Sequence, residues 1–412
     1  MPISSRGADP VDVRGRNLGR VLRTLHDTGP VSRARLADAV GLTRATVSSL
    51  VSELNALGLV HDGAVERGAI GRPGQFVEVS GTVCGLGVEI NVDYLSAQAL
   101  DLSGREVTTR RVVADASHWS PERTLDATAA LITWALDECA SAGRRVAGIG
   151  VAVPGLVEAT PGVVRLAPNM HWYDTALAEE LAGRIGRPEL PLTVDNDANL
   201  SALAEHRVGA ARGVGDLVYL TGEAGVGAGI LVEGRLLRGA DGFGGEVGHM
   251  AVALDGRTCG CGRRGCWETI VGLQAMLDMV ADEDDPVADH DSDLQERMYE
   301  IRRRAEAGDA RTVNGLQTLG ASLGHGASII VNLVNPRVIV LGGFYSVLAD
   351  FIIPSAVATL RERVIAPPAA ICRIEASTLG FTAAALGGAL MVLDNVLDNP
   401  AAVQIAHAGG DR

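Results

Sequence analysis

The sequence predicts an α/β protein, a two-lobed body preceded by a winged helix-turn-helix unit. Three observations carry this expectation. The first 80 residues read as three helices followed by two short strands around a Gly-rich loop. From Gly85 onward, two successive units each begin rich in strands and continue as helices, the pattern of two lobes with a cleft between them. The chain has 412 residues, more than one ordinary core supports, so two or three domains are expected.

The head is legible residue by residue. Leu18, Val21, Leu22 and Leu25 recur at helical spacing and form one apolar face, which Gly29-Pro30 terminates. Ser32 can cap a second helix that turns Leu36, Ala37 and Val40 inward. Gly41-Leu42 is the turn. Thr43 can cap a third helix, whose apolar positions are Val47, Leu50, Val51, Leu54 and Leu57, with Gly58 placed for a left-handed end. This order sets a second helix into a DNA major groove. Thr43, Arg44, Thr46, Ser48 and Ser49 at its start are short hydrogen bonders plus one arginine, suited to base edges and phosphates. Arg33 and Arg35 begin the preceding helix and can clamp phosphates. Leu59-Val60 and Phe76–Val79 read as wing strands, and the loop between them carries Arg67 and Gly71-Arg72-Pro73-Gly74. An extended arginine such as Arg72 suits a narrow minor groove. A small helical interaction module is the alternative reading of the same three helices.

Charge agrees with a DNA-binding head. Residues 1–80 hold 10 Arg against 8 Asp and Glu, while the rest holds 26 against 42. An acidic body repels phosphate backbones, so nucleic-acid contact belongs to the head. All 36 basic residues are arginine, from which no function is drawn. With 47% hydrophobic and 21% charged residues, the chain reads as globular. It contains no run of about 18 uncharged apolar residues, so no membrane partner is expected. The opening residues lack the apolar segment of a secretory signal, and a cytoplasmic location is expected.

The body begins with a strand at Gly85–Ile90 and another from Tyr94 to Leu102, followed by a helix over 122–140. Val146–Val153 is a buried strand ending at Pro154-Gly155. Leu192–Val194 runs into Asp195-Asn196-Asp197 and a helix. A hairpin starts at Leu217, and Val338–Leu341 is a strand opening into Gly342-Gly343. The acidic run over 281–293 reads as a solvated loop.

Three of the six cysteines, Cys84, Cys139 and Cys372, stand alone and read as core residues. The others cluster as His249-(9)-Cys259-(1)-Cys261-(4)-Cys266. One imidazole and three thiolates match a closed tetrahedral zinc site. Without an open position the zinc is structural, and it would fix the loop bearing Glu246, His249 and Glu268.

Residues 85–390 resemble the ROK family of repressors and sugar kinases, which covers about three quarters of the chain. GGEVGHM (244–250) and CGCGRRGCWET (259–269) resemble its zinc and sugar signature, and VDNDANLSALAE (194–205) its catalytic segment. VPGLVEATPGVVRLAPN (153–169) resembles its substrate loop, and LGG (341–343) its adenosine-side turn. The resemblance implies an actin-like, ribonuclease H-like sugar-kinase fold. With the head read at 1–80, it implies a smaller lobe at 81–197 plus about 383–400 and a larger zinc-bearing lobe at 198–382. It also implies that Asn169, Asn196, Asp197, Glu246, His249 and Glu268 contact a sugar, with Asp197 where kinases hold their base. The residues alone leave Asp197 equally open to capping a helix.

The family's kinases carry Asp-x-Gly-Gly-Thr-Lys after the first strand, where this chain has Glu89-Ile90-Asn91-Val92-Asp93-Tyr94. Glu223-Ala224 stands where Gly-Thr is usual, and Phe344 follows Gly342-Gly343 where a third glycine is usual. These exchanges put carboxylates where phosphates would sit. The expectation is therefore a sugar-responsive repressor of the ROK family, acting in carbohydrate metabolism without kinase activity. Its partners would be a pseudo-palindromic operator and a sugar or sugar phosphate, and it would be a homodimer or homotetramer. A sugar kinase with an appended DNA-binding domain is the alternative, and a zinc-stabilised sugar-binding scaffold a third.

Overall fold

The computed structural model describes residues 10–65, 75–289, 292–365, 372–401 and 403. The head contains α1 (Pro10–Thr28), β1 (Val31–Ser32), α2 (Arg33–Val40), α3 (Arg44–Ala56), β2 (Val60–Val65) and β3 (Gln75–Val79). Its strands pair antiparallel in the order β1–β3–β2. Leu18, Val21, Leu22, Leu25, Leu36, Val47, Leu50, Val51 and Leu54 are all buried, which is why the helical spacing is apolar. Each such side chain contributes about 1.5–3 kcal/mol when taken from water. Gly41 ends α2 with φ 66°, and Thr43 caps α3 by accepting from the Thr46 amide at 3.2 Å. Ser32 precedes α2 but makes no side-chain cap; it is buried. Arg67 and Arg72 on the wing turn lie outside the described residues.

The body opens with β4 (Val83–Ile90), β5 (Tyr94–Asp101), β6 (Glu106–Val113), α4 (Pro121–Ser141) and β7 (Arg145–Val153). A small antiparallel sheet follows, β8 (Leu156–Glu158), β9 (Val163–Ala167) and β10 (Trp172–Thr175), then α5 (Leu177–Ile185), β11 (Leu192–Asn196) and α6 (Asp197–Arg207). The first lobe's sheet runs β11–β7–β4–β5–β6. The second lobe adds β12 (Leu217–Gly222), β13 (Val226–Val232), β14 (Arg235–Leu236), α7 (Glu268–Val271), α8 (Leu273–Val280), α9 (Leu294–Glu306) and α10 (Ala310–Val334). It continues with β15 (Val338–Gly343), α11 (Phe344–Val347), α12 (Ala349–Arg363) and β16 (Arg373–Ala376), and the chain returns to the first lobe as α13 (Ala383–Asp398). The second sheet runs β14–β13–β12–β15–β16. This is the α/β, sugar-kinase-like, two-lobed fold that the sequence predicts. The run over 281–293 is less open than expected: Asp285 holds Arg304, and Asp293 caps α9.

Glycine spacing in β4 and β7 serves α13. A Cβ on Gly87 would lie 1.7 Å from the Ala385 carbonyl oxygen, and one on Gly150 2.4 Å from that of Gly388. Only glycine lets the helix backbone lie this close to the strands. By length and composition Gly380–Asp398 would pass for a membrane span, yet most of it is buried in the core. The same helix receives the head. Leu393, Val396 and Leu397 share a buried cluster with Leu18, Val21, Leu22 and Leu25 of α1. Arg145 at the start of β7 donates to the carbonyl of Leu57, at the end of α3, at 3.2 Å.

Candidate functional site

A cavity opens between the lobes, and all six residues expected to contact a sugar line it: Asn169, Asn196, Asp197, Glu246, His249 and Glu268. They come from four separate segments of the chain. Asn169 lies in the 3-10 turn after β9, Asn196 and Asp197 at the junction of β11 with α6, and Glu246 and His249 in and beside a second 3-10 turn. Glu268 begins α7. A Cβ on Gly225 would lie 3.2 Å from Glu268 Oε2 and 3.4 Å from Asn169 Nδ2, so glycine keeps that wall clear.

The helix cap at this junction is Asn196, whose Oδ1 accepts from the Asn199 amide at 3.1 Å. Its Nδ2 donates to the Gly155 carbonyl at 3.0 Å, which ties the turn after β7 to α6. Asp197, freed from capping, accepts from the Ala198 amide at 2.8 Å and borders the cavity. Burial pushes its carboxyl up to about 6 from an ordinary 3.8. Burial, and then the nearby Asp197 and Glu268, push Glu246 up to about 7.

His249, Cys259, Cys261 and Cys266 converge, their ligand atoms lying within 4.8 Å of one another. Sγ of Cys261 and Cys266 are 3.8 Å apart, and Cys259 Sγ is 3.7 Å from His249 Nδ1. A tetrahedron with metal–sulfur bonds of about 2.3 Å has sulfur–sulfur edges of about 3.8 Å. The donor set and spacing therefore fit a metal ion. His249 points Nδ1 at the thiols, and its Nε2 lies 3.9 Å from Glu246 in the cavity wall.

In the wall of the same cavity, the turn between β4 and β5 and the turn after β12 meet. Asn91 Nδ2 donates to Glu223 across the lobes and to Glu89 Oε1 at 3.3 Å. Tyr94 Oη donates to the same Glu89 oxygen at 2.8 Å. Burial pushes Glu89 up to about 7, Tyr94 and Asn91 pull it back, and Asp197 pushes it further up. Glu223 is held well above the carboxylate range by burial, then by Glu89 and Asp197. Phe344 behaves differently from what its position beside the glycines suggests: its ring is fully buried in the second lobe's core, against Tyr345.

On the head, Arg35, Thr43, Arg44, Ser48 and Ser49 are exposed and Thr46 is half-buried. Arg35 and Arg44 have no ion-pair partner among the described residues. Arg33 donates to Asp62 of β2 at 2.8 Å, and Arg14 of α1 donates to Ser49 at 3.3 Å. Arg33 thus braces the wing against α2, and Ser49 is tied to α1.

Residues 85–395 match the ROK family, and residues 16–61 match a winged helix-turn-helix DNA-binding family. The chain belongs to the ROK family. The xylose repressor of Bacillus subtilis (strain 168) is 29% identical over 392 residues, covering 95% of this chain and 98% of that protein. A crystal structure of a ROK family transcriptional regulator, a homologue of the E. coli Mlc protein, superposes with TM-score 0.77 at 27% identity, covering 96% of this chain and 100% of that one. A ROK glucokinase from Streptomyces griseus, in complex with glucose and AMPPNP, superposes with TM-score 0.64 at 28% identity, covering 75% of this chain and 98% of the enzyme.

Within this ROK chain, sequence reasoning missed three arrangements. Asp195, inside the catalytic-like segment, is buried and bound by Arg238 at 2.6 and 3.0 Å, which anchors the loop leading to Glu246. The bond between Asn91 and Glu223 joins turns 132 residues apart, and nothing local signals it. Docking of the head on α13 is equally remote in sequence. The only available hint was the unusual apolarity of α13 next to the charged pair Asp394 and Asp398.

Proposed function

We propose that this chain is a sugar-responsive, DNA-binding transcriptional repressor that has no kinase activity. The observation that carries the proposal is the presence, in one chain, of a winged helix-turn-helix that exposes Arg35 and Arg44 and a carboxylate-lined cleft. Arg44, Thr43, Thr46 and Ser48 would read bases from α3, and Arg35 and Arg72 would contact the backbone and minor groove. Arg33 and Ser49 would act chiefly through the wing and α1. Two heads on a homodimer or homotetramer would bind a pseudo-palindromic operator.

In the cleft, Asp197, Glu246 and Glu268 would accept bonds from sugar hydroxyls, Asn169 and Asn196 would border the ring, and His249 would face it through Nε2. Zinc bound by His249, Cys259, Cys261 and Cys266 would supply structure: it fixes the His249 ring and the start of α7. This chain's own residues do the recognition. The effector is a sugar or sugar phosphate. Because its relatives include xylose repressors, D-xylose is the first sugar to test.

Asn91 and Glu223, from the two hairpin turns, would occupy the ground where the family's kinases are expected to seat phosphates; Asp93, expected there too, does not line the cavity. A phosphate seated there would have to break the hydrogen bonds that join Asn91 to Glu89 and Glu223, a loss that enclosed polar groups do not recover from water. This supports binding without phosphoryl transfer. The second reading, a sugar kinase with a DNA-binding head, is favoured by one observation, the cleft-lining Asp197 held near 6 where the family resemblance would put a kinase base. Two measurements decide. Operator binding should change with an added sugar that also raises Tm. An assay with ATP and a panel of pentoses and hexoses should give no turnover; rates of about 1–100 per second would establish the kinase.

A further inference from the structure

Helix α6 reaches from the sugar cleft to the seat of the head. Asp197, its first residue, borders the cavity, and Arg207 is its last. Between these ends it is wedged. A Cβ on Gly229 of β13 would lie 2.2 Å from the Ala198 carbonyl oxygen, and one on Gly387 of α13 would lie 2.0 Å from that of Leu200. On each side a backbone oxygen is the nearest neighbour, joined on the β13 side only by the short Ala202 side chain, so nothing flexible is there to yield. Strand β13 belongs to the second lobe's sheet, whereas α13 lies against the first lobe's β4 and β7. Helix α6 thus spans the seam that lobe closure would work, and close-packed contacts of this kind pass displacement on.

At the far end the contacts change from apolar to ionic. Arg207 Nη2 donates to Asp394 Oδ2 at 2.9 Å. The other oxygen of Asp394 accepts from Arg23 Nη1 at 3.1 Å, and Arg23 Nη2 also donates to Asp398 Oδ1 at 2.7 Å. Arg23 belongs to α1, the helix whose leucines form the head's core. Beside it, a Cβ on Gly19 would lie 2.6 Å from the Asp398 carbonyl oxygen, so α1 rests directly on the end of α13. A single carboxylate is therefore shared between an arginine that moves with the cleft helix and an arginine that belongs to the DNA-binding head.

We propose that Arg207, Asp394 and Arg23 couple the sugar cleft to the head, with Arg207 and Asp394 acting as positioning residues for α1. The proposal rests on the reading that sugar changes operator affinity. It differs from a simple stabilising role. The side chains of Arg23, Asp394 and Arg207 are 27%, 28% and 41% exposed, and ion pairs this accessible to water hold little of a fold together. What they fix is the direction in which α1 leaves α13.

The test measures linkage. D-xylose, D-glucose and N-acetyl-D-glucosamine are screened by thermal shift on the full chain, and the one with the largest shift is used as the probe. Operator Kd is then measured by fluorescence anisotropy with and without that sugar. The ratio is the coupling factor, about 5–150 where two sites communicate. Arg207→Met should leave the sugar Kd and the sugar-free operator Kd within about twofold of wild type and reduce the coupling factor at least threefold or so. Arg207→Lys, which keeps the charge, should restore it. A coupling factor unchanged in Arg207→Met overturns the relay and leaves the repressor reading standing. A wild-type factor of one overturns the repressor reading, and this proposal with it.

Discussion

Asp197 illustrates how one side chain can weaken the fold and serve the site. Its native carboxyl titrates at about 6 against an ordinary 3.8, so the fold prefers it protonated. Such a group contributes stability below about pH 4, and that contribution is lost as pH rises through 6. Asp197→Asn should therefore gain stability relative to wild type as pH is raised from 4 to 7, read from parallel urea melts, while losing sugar binding. Sugar hydroxyls that donate to the ionised carboxylate should favour the charged form. Sugar affinity in the wild type should then rise between pH 5 and 7, with proton release detectable by calorimetry in buffers of different ionisation heat; a flat profile would remove Asp197 from the ligand set. On the head, Arg44→Ala should weaken operator binding by about 1–3 kcal/mol if Arg44 reads a base, with relaxed preference at that position. A uniform loss across sequences, with a smaller salt slope, would make it a phosphate contact instead.

Elements here are held by close approach as much as by propensity. Helix α13 carries Gly387 and Gly388 in its interior, a choice that costs helix stability of about 1 kcal/mol each relative to alanine. The cost is offset by contact: Gly387 meets the Leu200 carbonyl of α6, and Gly388 meets Gly150 of β7. Gly388→Ala should thus destabilise despite alanine's better helix propensity, by about 1–3 kcal/mol in chemical denaturation. An equal or higher midpoint would mean that the backbones can part. The turn from β4 to β5 follows the same logic. Its Asn91 closes on Glu89 of its own lobe and on Glu223 of the other.

Across the whole molecule, two functions share one rigid platform. The head is apolar against α13 and ionic at its rim, and Arg145 joins the end of α3 to the strand that leads to the cleft. Removing the metal should therefore be felt beyond its own loop. In the reading above, a chelator strong enough to strip zinc should lower Tm and abolish the sugar-induced thermal shift, because His249 and Glu268 lose their fixed positions. Cys266→Ser should do the same without chelator. Retained sugar binding in metal-free protein would separate the two sites.

Local chemistry was readable in the chain. Helix spacing, the Gly41 turn and the Thr43 cap set out the head; the His249 and cysteine spacing set out a cluster that could hold a metal; the order of motifs set out the two lobes and the family. Each of these depends on residues near one another in sequence, where period and turn chemistry act directly. What folding alone decided were meetings across long loops. These include Asn91 with Glu223, Asp195 with Arg238, and Asp394 between Arg207 and Arg23. Such contacts depend on where α6 and α13 come to rest between two sheets, a matter of packing backbone on backbone that no local pattern encodes.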